Sequence, residues 1–435
     1  MATKRKKRLI TQISDPAFLK QAWLKLNKSN KDSRGISEET ISDFSNNLDS
    51  NLQEISRLLK KKQYIFNEVR PVLIPKNEAN KFRPLRLSDI RDRVVQKALA
   101  IKLNELLAEK YQLNNGCSFA YIKNGRVADA IRKMVEHYNA GYKIILEADI
   151  KKFFDQVNRN KLLRQIANDL PDRTISILIK NALEQNIGDL SSYEEQHHHY
   201  FLDSVQGIPQ GNPLSPLLAN IYLAAFDQRM IAEGLKLIRY ADDFIIMCKD
   251  AKEAKCAFDI AKEEIEEKLG LQLHPLPSPH HSEMSKTRII NPTLHRFSFL
   301  SICFDGQRLW VKPDKISDLR TRINTLTDLK TYQKEPKYAG LITILQRLKN
   351  LLEGWLSAFK YVDVDRDFAE IDDHINYKLF TLLLRMDYRL KSTNIESKRI
   401  KSTGKIVQLI TSNQRKNIGV PTCKKFLDGI DRERI

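Results

Sequence analysis

Two short apolar runs, Leu237-Ile238 and Phe244-Ile245-Ile246-Met247, flank a tight acidic turn, Tyr240-Ala241-Asp242-Asp243. Strand-like runs this close together predict a β-hairpin whose turn carries adjacent carboxylates at the edge of a core. A second apolar, β-branched run from Tyr142 to Ile150 ends in Glu147-Ala148-Asp149, which predicts a buried strand with a further carboxylate at its end. Carboxylates crowded in this way repel one another, and a bound cation is the simplest compensation. Magnesium prefers oxygen ligands and keeps several waters, so two or three carboxylates suffice to hold it. Phosphoryl transfer to a hydroxyl uses such a set, with two divalent ions about 3.5–4 Å apart.

Charge narrows the partner. Lys and Arg outnumber Asp and Glu by 73 to 54, a net +19, and the excess is not confined to one tail. Each neutralised phosphate of a polyanion releases counterions, so a nucleic acid is the economical partner. Charge alone does not separate an enzyme from a passive RNA-binding protein. The 435 residues, 42% of them hydrophobic, can bury a sizeable core, and about 150 residues per domain suggests two or three domains. No window of about 18 apolar residues predicts a membrane span. The basic run Met1 to Leu9 lacks the apolar stretch of a secretory signal and reads as a solvated terminus. The five cysteines (Cys117, Cys248, Cys256, Cys303, Cys423) form no CxxC pair, which argues against a zinc ribbon and for a reducing cytoplasm.

Helical spacing appears from about residue 15 to 65, carried by Leu19, Trp23 and Leu26 and then by Ile41, Phe44, Leu48, Leu52, Ile55 and Leu59, with Gly35 between the stretches. Val69 to Lys76 reads as a short strand closed by the polar turn Asn77 to Asn80. Ile90 to Lys110, a segment through Leu162, Leu163 and Ile166, and Leu214 to Gly234 read as helices. The polar stretch Asn186 to Val205 reads as a hairpin or loop. A helical unit follows Phe304, with an apolar stripe through Leu341, Ile344, Leu345, Leu348, Leu351, Leu352, Trp355, Leu356 and Phe359, a further helix from Phe368 to Arg389, and a basic, low-apolar tail from Lys391. Trp355 reads as core packing. Asp363 and Asp365 read as surface acids. His197-His198-His199 and His280-His281 look like metal clusters, but consecutive side chains on an extended chain point to opposite faces, which discounts both.

Three blocks in order, Asp149-Ile150-Lys151-Lys152-Phe153-Phe154-Asp155, Gln206-Gly207-Ile208-Pro209-Gln210-Gly211-Asn212-Pro213-Leu214-Ser215-Pro216 and Tyr240-Ala241-Asp242-Asp243, resemble successive blocks of the reverse transcriptase family. A lone acidic tetrapeptide would be weak; three blocks in the family's order are specific. The similarity extends over roughly residues 15 to 390, with Ile74-Pro75-Lys76, Arg83-Pro84-Leu85 and Asp92-Arg93-Val94-Val95-Gln96 resembling the fingers of group II intron-type enzymes. The resemblance implies an α+β right-hand polymerase: an N-terminal helical extension (1–66), fingers (67–144), a palm with an antiparallel sheet (145–310, with a fingers-side insertion near 165–205), a helical thumb (311–390) and a basic tail (391–435).

It also implies roles. Two Mg²⁺ ions, with Mn²⁺ as a substitute, would be held by Asp149, the Ile150 backbone, Asp242 and Asp243, and Lys286 of Ser285-Lys286-Thr287 would protonate the leaving pyrophosphate. Lys76 and Arg83 would hold the triphosphate, a role that suits an ammonium and a forked guanidinium. Phe153, Phe154, Gln210, Gly211 and Ala241 would line the incoming nucleotide, with Phe154 as an aromatic gate against a 2′-hydroxyl. Phe299-Leu300-Ser301 resembles the primer grip, although the family usually places glycine where Ser301 stands. Ser118-Phe119-Ala120-Tyr121 departs from the Gly-Phe-Arg pattern of intron enzymes, and no segment resembles their cysteine/histidine endonuclease.

The remaining pattern looks similar to stand-alone bacterial reverse transcriptases associated with antiphage defence. The reading this implies is a cytoplasmic RNA-directed DNA polymerase that makes cDNA from dNTPs on a partner noncoding RNA. A homo-oligomer or a neighbouring-gene protein partner stays open. The competing readings are a group II intron-type maturase in which RNA binding matters more than polymerisation, an inactive polymerase relic serving as an RNA scaffold, and template-independent or RNA-synthesising activity on the same palm.

Overall fold

Helix signals at the start of the chain resolve into four helices, α1 (Leu9–Ile13), α2 (Pro16–Leu24), α3 (Ile41–Asn46) and α4 (Leu48–Lys60), on either side of Gly35. The α2 start has Asp15 accepting from the Ala17 N–H with Pro16 in the first turn, and α3 opens on a reciprocal Thr40–Asp43 cap. These elements belong to a computed structural model that describes residues 7–76, 80–202, 206–277, 285–332, 340–401, 403–429 and 435. Residues 1–6 of the basic start, 77–79 of the expected turn and His280-His281 lie outside the described residues. The chain divides into two units, Met1–Ala130 with Ile144–Ile289, and Ile131–Lys143 with Ile290–Ile435.

In the first unit, β1 (Arg70–Pro75) and β2 (Phe82–Leu87) form an antiparallel hairpin, followed by α5 (Ile90–Leu107). The helix α6 (Val127–Asn139) falls mostly in the second unit. Then come β3 (Ile144–Asp149), α7 (Phe153–Gln156), α8 (Arg159–Asp169), α9 (Ser176–Leu183), α10 (His199–Leu202), α11 (Ser215–Ala232), β4 (Lys236–Tyr240), β5 (Asp243–Cys248), α12 (Ala251–Lys262) and β6 (Arg288–Ile290). The central sheet has the order β4-β5-β3-β6, with β5 antiparallel to both β3 and β4. Ile145, Leu146, Ile245, Ile246 and Met247 are fully buried in it. The α11 helix is apolar around most of its circumference and is buried accordingly.

The stretch expected as a hairpin or loop is, over its described residues up to Leu202, a loop with a 3₁₀ turn at Glu195–His197 and the short helix α10. Its hold on the rest of the unit is long-range: Tyr193 Oη donates to the Pro71 carbonyl and accepts from the Leu73 N–H. A window of local sequence contains no sign of those partners. Within the stretch, His198 Nε2 lies 3.1 Å from both the Leu190 and Tyr193 carbonyls, and His199 Nδ1 lies 2.7 Å from the Gln196 carbonyl, so these rings bind backbone.

The second unit opens with a meander, β7 (Phe297–Phe299), β8 (Ile302–Phe304) and β9 (Leu309–Val311). Tyr138 of α6 packs edge-on against Phe304 at 4.9 Å. Three long helices follow: α13 (Pro313–Thr327), α14 (Leu341–Phe359) and α15 (Asp365–Arg385). On α14 the buried residues Ile344, Leu348, Leu352 and Leu356 recur every fourth position, the stripe the sequence predicts.

The basic stretch from Lys391, expected as a tail, is folded. It forms the hairpin β10 (Ile395–Arg399)–β11 (Ile406–Ile410) and the helices α16 (Ser412–Asn417) and α17 (Cys423–Asp428). Ile400, Leu409, Ile410, Val420, Cys423 and Leu427 are buried, and a fully buried Arg415 donates to Asp372 Oδ1 of α15 at 2.6 Å. Few apolar residues, spaced without a period, do the burying. All five cysteines are free thiols. Among the described residues no helix is long and apolar enough to cross a membrane.

Candidate active site

The hairpin turn is closed by the pair Tyr240↔Asp243, leaving Ala241 and Asp242 as its two loop residues. Ala241 sits at φ +62° while Asp242 stays out of the left-handed region. That is the pattern of a II′ turn, whose first loop position favours glycine. An alanine there stores roughly 1–2 kcal/mol of strain.

Across the sheet, Asp149 at the end of β3 is the direct partner of Asp243 at the start of β5. Side chains of directly opposed residues share a face, so the sheet brings together two carboxylates from positions far apart in the chain. Asp242 adjoins them from the turn. Desolvation pushes the Asp243 carboxyl up to about 6, reinforced by the charges of Asp242, Asp149 and Glu147 and opposed by Lys286. Solvent still reaches Asp243, so the crowding of like charge matters there as well as burial. Asp242 is raised too, by desolvation and by Asp149, while Arg83 and Arg239 act in the opposite sense. Glu147 is tied at 2.7 Å to Arg288 Nε.

Asp149 finds cationic company. Its Oδ2 lies 3.2 Å from Lys286 Nζ and 3.7 Å from His274 Nε2. Among the described residues, no group of three or more His, Cys, Asp or Glu side chains is gathered tightly enough to cage a metal ion. The convergent three-carboxylate cage expected from Asp149, Asp242 and Asp243 is therefore found as a set of neighbouring carboxylates. Asp149 itself lies beside Lys286 and His274. The donor chemistry still fits a hard divalent cation, because oxygen donors from opposed positions carry a mutual repulsion that such an ion relieves. Ile150 fits as well. The two hydrogen bonds flanking its bridge to Leu273 are made by the Asp149 carbonyl and the Lys151 N–H, and the Ile150 carbonyl makes neither.

The other expected residues divide into those near this centre and those elsewhere. Phe154 is half-buried, packs edge-on against Phe153 at 5.4 Å, and its carbonyl accepts from the Ile208 N–H at 2.8 Å. Phe153 is 2% exposed and belongs to the core. Lys152 adopts a left-handed conformation just before α7, and adjacent helical residues then point in different directions, so only one of the two rings faces outward. Gln210 is half-buried, and its carbonyl accepts from the Arg86 N–H at 2.8 Å. Gly211 stands at φ +99°, and a Cβ there would lie 2.9 Å from the Arg86 carbonyl, so glycine is required for this approach. Arg83 on β2 is exposed, and its charge acts on Asp242; Lys76 is exposed just beyond β1.

Phe299, Leu300 and Ser301 lie in the second unit. There Phe299 pairs with Ile302 around a two-residue turn in which Leu300 (φ +51°) and Ser301 (φ +68°) are both left-handed, the I′ pattern. The family's glycine is absent, yet the backbone adopts the conformation a glycine would favour.

Sequence reasoning missed two features. Tyr121, at φ +62°, has its hydroxyl pushed up by desolvation and then by the charges of Asp242 and Tyr240. Arg239, with Asp227 and Asn220, lies under the turn. A charged residue inside an apolar strand was the available signal for it.

Residues 74–279 match the family model described as reverse transcriptase (RNA-dependent DNA polymerase). This stretch is a reverse transcriptase domain. It holds every expected catalytic position except Lys286, which lies seven residues beyond it. The chain is 29% identical over 213 residues to the group II intron-encoded protein LtrA of Lactococcus lactis subsp. cremoris, covering 49% of this chain and 33% of LtrA. It is 30% identical over 202 residues to an uncharacterized 91 kDa protein in a cob intron of Schizosaccharomyces pombe, covering 46% of this chain and 23% of that one. Protein YkfC of Escherichia coli K12 is 23% identical over 377 residues, covering 78% of this chain and 91% of YkfC. The chain thus spans a quarter to a third of the two intron proteins. A mixed α/β chain with antiparallel sheets and this domain is of the right-hand polymerase class.

Proposed function

We propose that the protein is an RNA-directed DNA polymerase that extends a primer by two-metal phosphoryl transfer. One observation carries the reading: Asp149 and Asp243 oppose each other across the β3–β5 ladder, beside Asp242, within a reverse transcriptase domain. Divalent ions held by Asp149, Asp242, Asp243 and the Ile150 carbonyl would activate the primer hydroxyl and steady the leaving pyrophosphate.

The chain's own side chains do the rest. Arg83 and Lys76 neutralise the triphosphate, the guanidinium with a fork of donors and the ammonium with a point charge. Phe154 sets a ring beneath the sugar and excludes a 2′-hydroxyl. Gly211 lets the backbone come close to the base. Lys286, already within reach of Asp149, gives its proton to the pyrophosphate as it leaves. In this reading residues 67–144 are fingers, 145–310 palm, with Phe299-Leu300-Ser301 as primer grip, and 311–390 thumb.

Incorporation of labelled dNTPs on primed RNA with Mg²⁺, and again with Mn²⁺, tests the proposal. Wild-type protein that extends no primer under either ion sinks it. The narrower reading, a bacterial antiphage enzyme copying a dedicated noncoding RNA, rests on family resemblance and on the net charge of +19. Sequencing co-purified RNA and new DNA from cells, with and without infection, tests that part; random cellular RNA with no dominant species counts against it. The matches to intron-encoded relatives support a second reading, RNA binding with polymerisation secondary, in which Asp242→Ala with Asp243→Ala keeps the biological effect.

A further inference from the structure

Arg239 is 1% exposed, and its guanidinium is engaged on three sides. Nε donates to Asp227 Oδ1 at 2.7 Å and Nη2 to Asp227 Oδ2, while Nη1 donates to Asn220 Oδ1 at 3.1 Å and to the Ala241 carbonyl at 2.8 Å. Asp227 and Asn220 stand two turns apart on α11, on one face. Each is itself anchored: Asn115 Nδ2 donates to Asp227 at 3.1 Å, and Asn220 Nδ2 donates to the Ala120 carbonyl at 2.8 Å.

The Ala241 carbonyl belongs to the central peptide of the acidic turn. Rotating that peptide would convert the II′ turn to I′, send Asp242 to positive φ and re-aim its carboxylate. A strained alanine at the first loop position persists only where its surroundings over-determine it. The Arg239 Nη1 donor supplies that constraint. Stability alone does not explain the buried pair, because well-packed apolar residues commonly replace such pairs without loss. An apolar replacement has no donor for the carbonyl.

We propose that Arg239, locked by Asp227 and Asn220, is a positioning residue that fixes the Ala241–Asp242 peptide and so aims the turn's carboxylates at the cation and primer site. Its catalytic consequence rests on the polymerase reading; its geometric part does not. Arg239→Lys keeps a positive charge opposite Asp227 but has no fork to reach the carbonyl as well. Arg239→Met paired with Asp227→Asn removes both charges together.

Thermal melting, Mn²⁺ affinity by electron paramagnetic resonance and single-nucleotide incorporation are measured on wild type and both variants. A folded variant should bind Mn²⁺ at least about fivefold more weakly and lose about ten- to a hundredfold in kcat, with its nucleotide KM moving less than about threefold. A folded variant with Mn²⁺ affinity and kcat both within about twofold of wild type overturns the proposal. If neither variant folds, Asn220→Ala, which leaves the Arg239–Asp227 pair intact, decides: weaker Mn²⁺ binding supports the clamp and unchanged binding overturns it. Wild-type protein that binds Mn²⁺ but extends no primer removes the polymerase reading, and the Mn²⁺ affinities then decide the clamp alone.

Discussion

Asp149 and Asp243 are direct cross-strand partners, so the fold holds two like charges opposite each other on one sheet face. Opposed like charges destabilise a sheet by up to about 1 kcal/mol. Asp243→Asn should therefore raise the melting temperature by about 2–4 °C in metal-free buffer. The same change should lower nucleotide incorporation by about 10²–10³-fold, the scale of losing one centre of transition-state charge stabilisation. Mg²⁺ should raise the melting temperature of wild type more than that of the variant. Differential scanning fluorimetry with and without Mg²⁺, beside a primer-extension assay, checks all three.

Phe154→Ala should relax sugar selection. The ring is half-buried, and in the polymerase reading removing it opens space where a 2′-hydroxyl would otherwise clash. The preference for a deoxynucleotide over its ribonucleotide should fall by about a hundredfold, mainly through faster ribonucleotide use, as read by competing kcat/KM values. Phe153→Ala should instead cost about 3–5 kcal/mol of stability, because that ring is core.

Asp92 makes stability depend on pH. It accepts from Tyr64 Oη at 2.7 Å, the Asn67 N–H at 3.0 Å and Gln185 Nε2 at 3.0 Å, yet burial pushes its carboxyl up to about 7. Between the ordinary carboxylate range and that value the folded protein holds a proton the unfolded chain has released. The stabilisation is complete in acid below that window and is lost as pH rises through about 7. Urea denaturation at a series of pH values should show stability falling by up to about 1.4 kcal/mol per pH unit in the window. Asp92→Asn should flatten that slope.

Ser301→Gly should stabilise the β7–β8 turn. Ser301 sits at φ +68°, where a side chain is disfavoured and glycine is not. A gain of up to about 1 kcal/mol is expected, with Leu300→Asn adding a smaller one, because Asn-Gly is the favoured I′ sequence. Thermal melting checks it.

The acidic centre was legible in the sequence because each of its parts is local. The runs before Asp149 and around Asp242 have the composition of buried strands, and the hairpin between β4 and β5 falls where two residues separate them. The α14 stripe was legible for the same reason: four-residue spacing is written along the chain. What escaped were features made by pairing at a distance. Arg239 could not announce Asp227 as its partner, since an ion pair between a strand and a helix leaves no periodic trace. Phe153 and Phe154 are adjacent and chemically alike, and only the left-handed Lys152 before them decides which ring turns inward. The hairpin β10–β11 reads as a tail in sequence because β10 is almost wholly polar and its cover comes from Leu409, Ile410 and α15.

The Arg415 contact with Asp372 bears on anyone who would trim this protein after its three long helices. Arg415 also donates from Nη2 to the Pro421 carbonyl, and the Cys423 N–H donates to Asp372. Cutting the chain after α15 would leave Asp372 without its guanidinium and uncover the apolar side of a helix that Leu409 and Leu427 now shield. A truncated product would be expected to aggregate, and its silence in an assay would report damaged folding rather than a dispensable appendage.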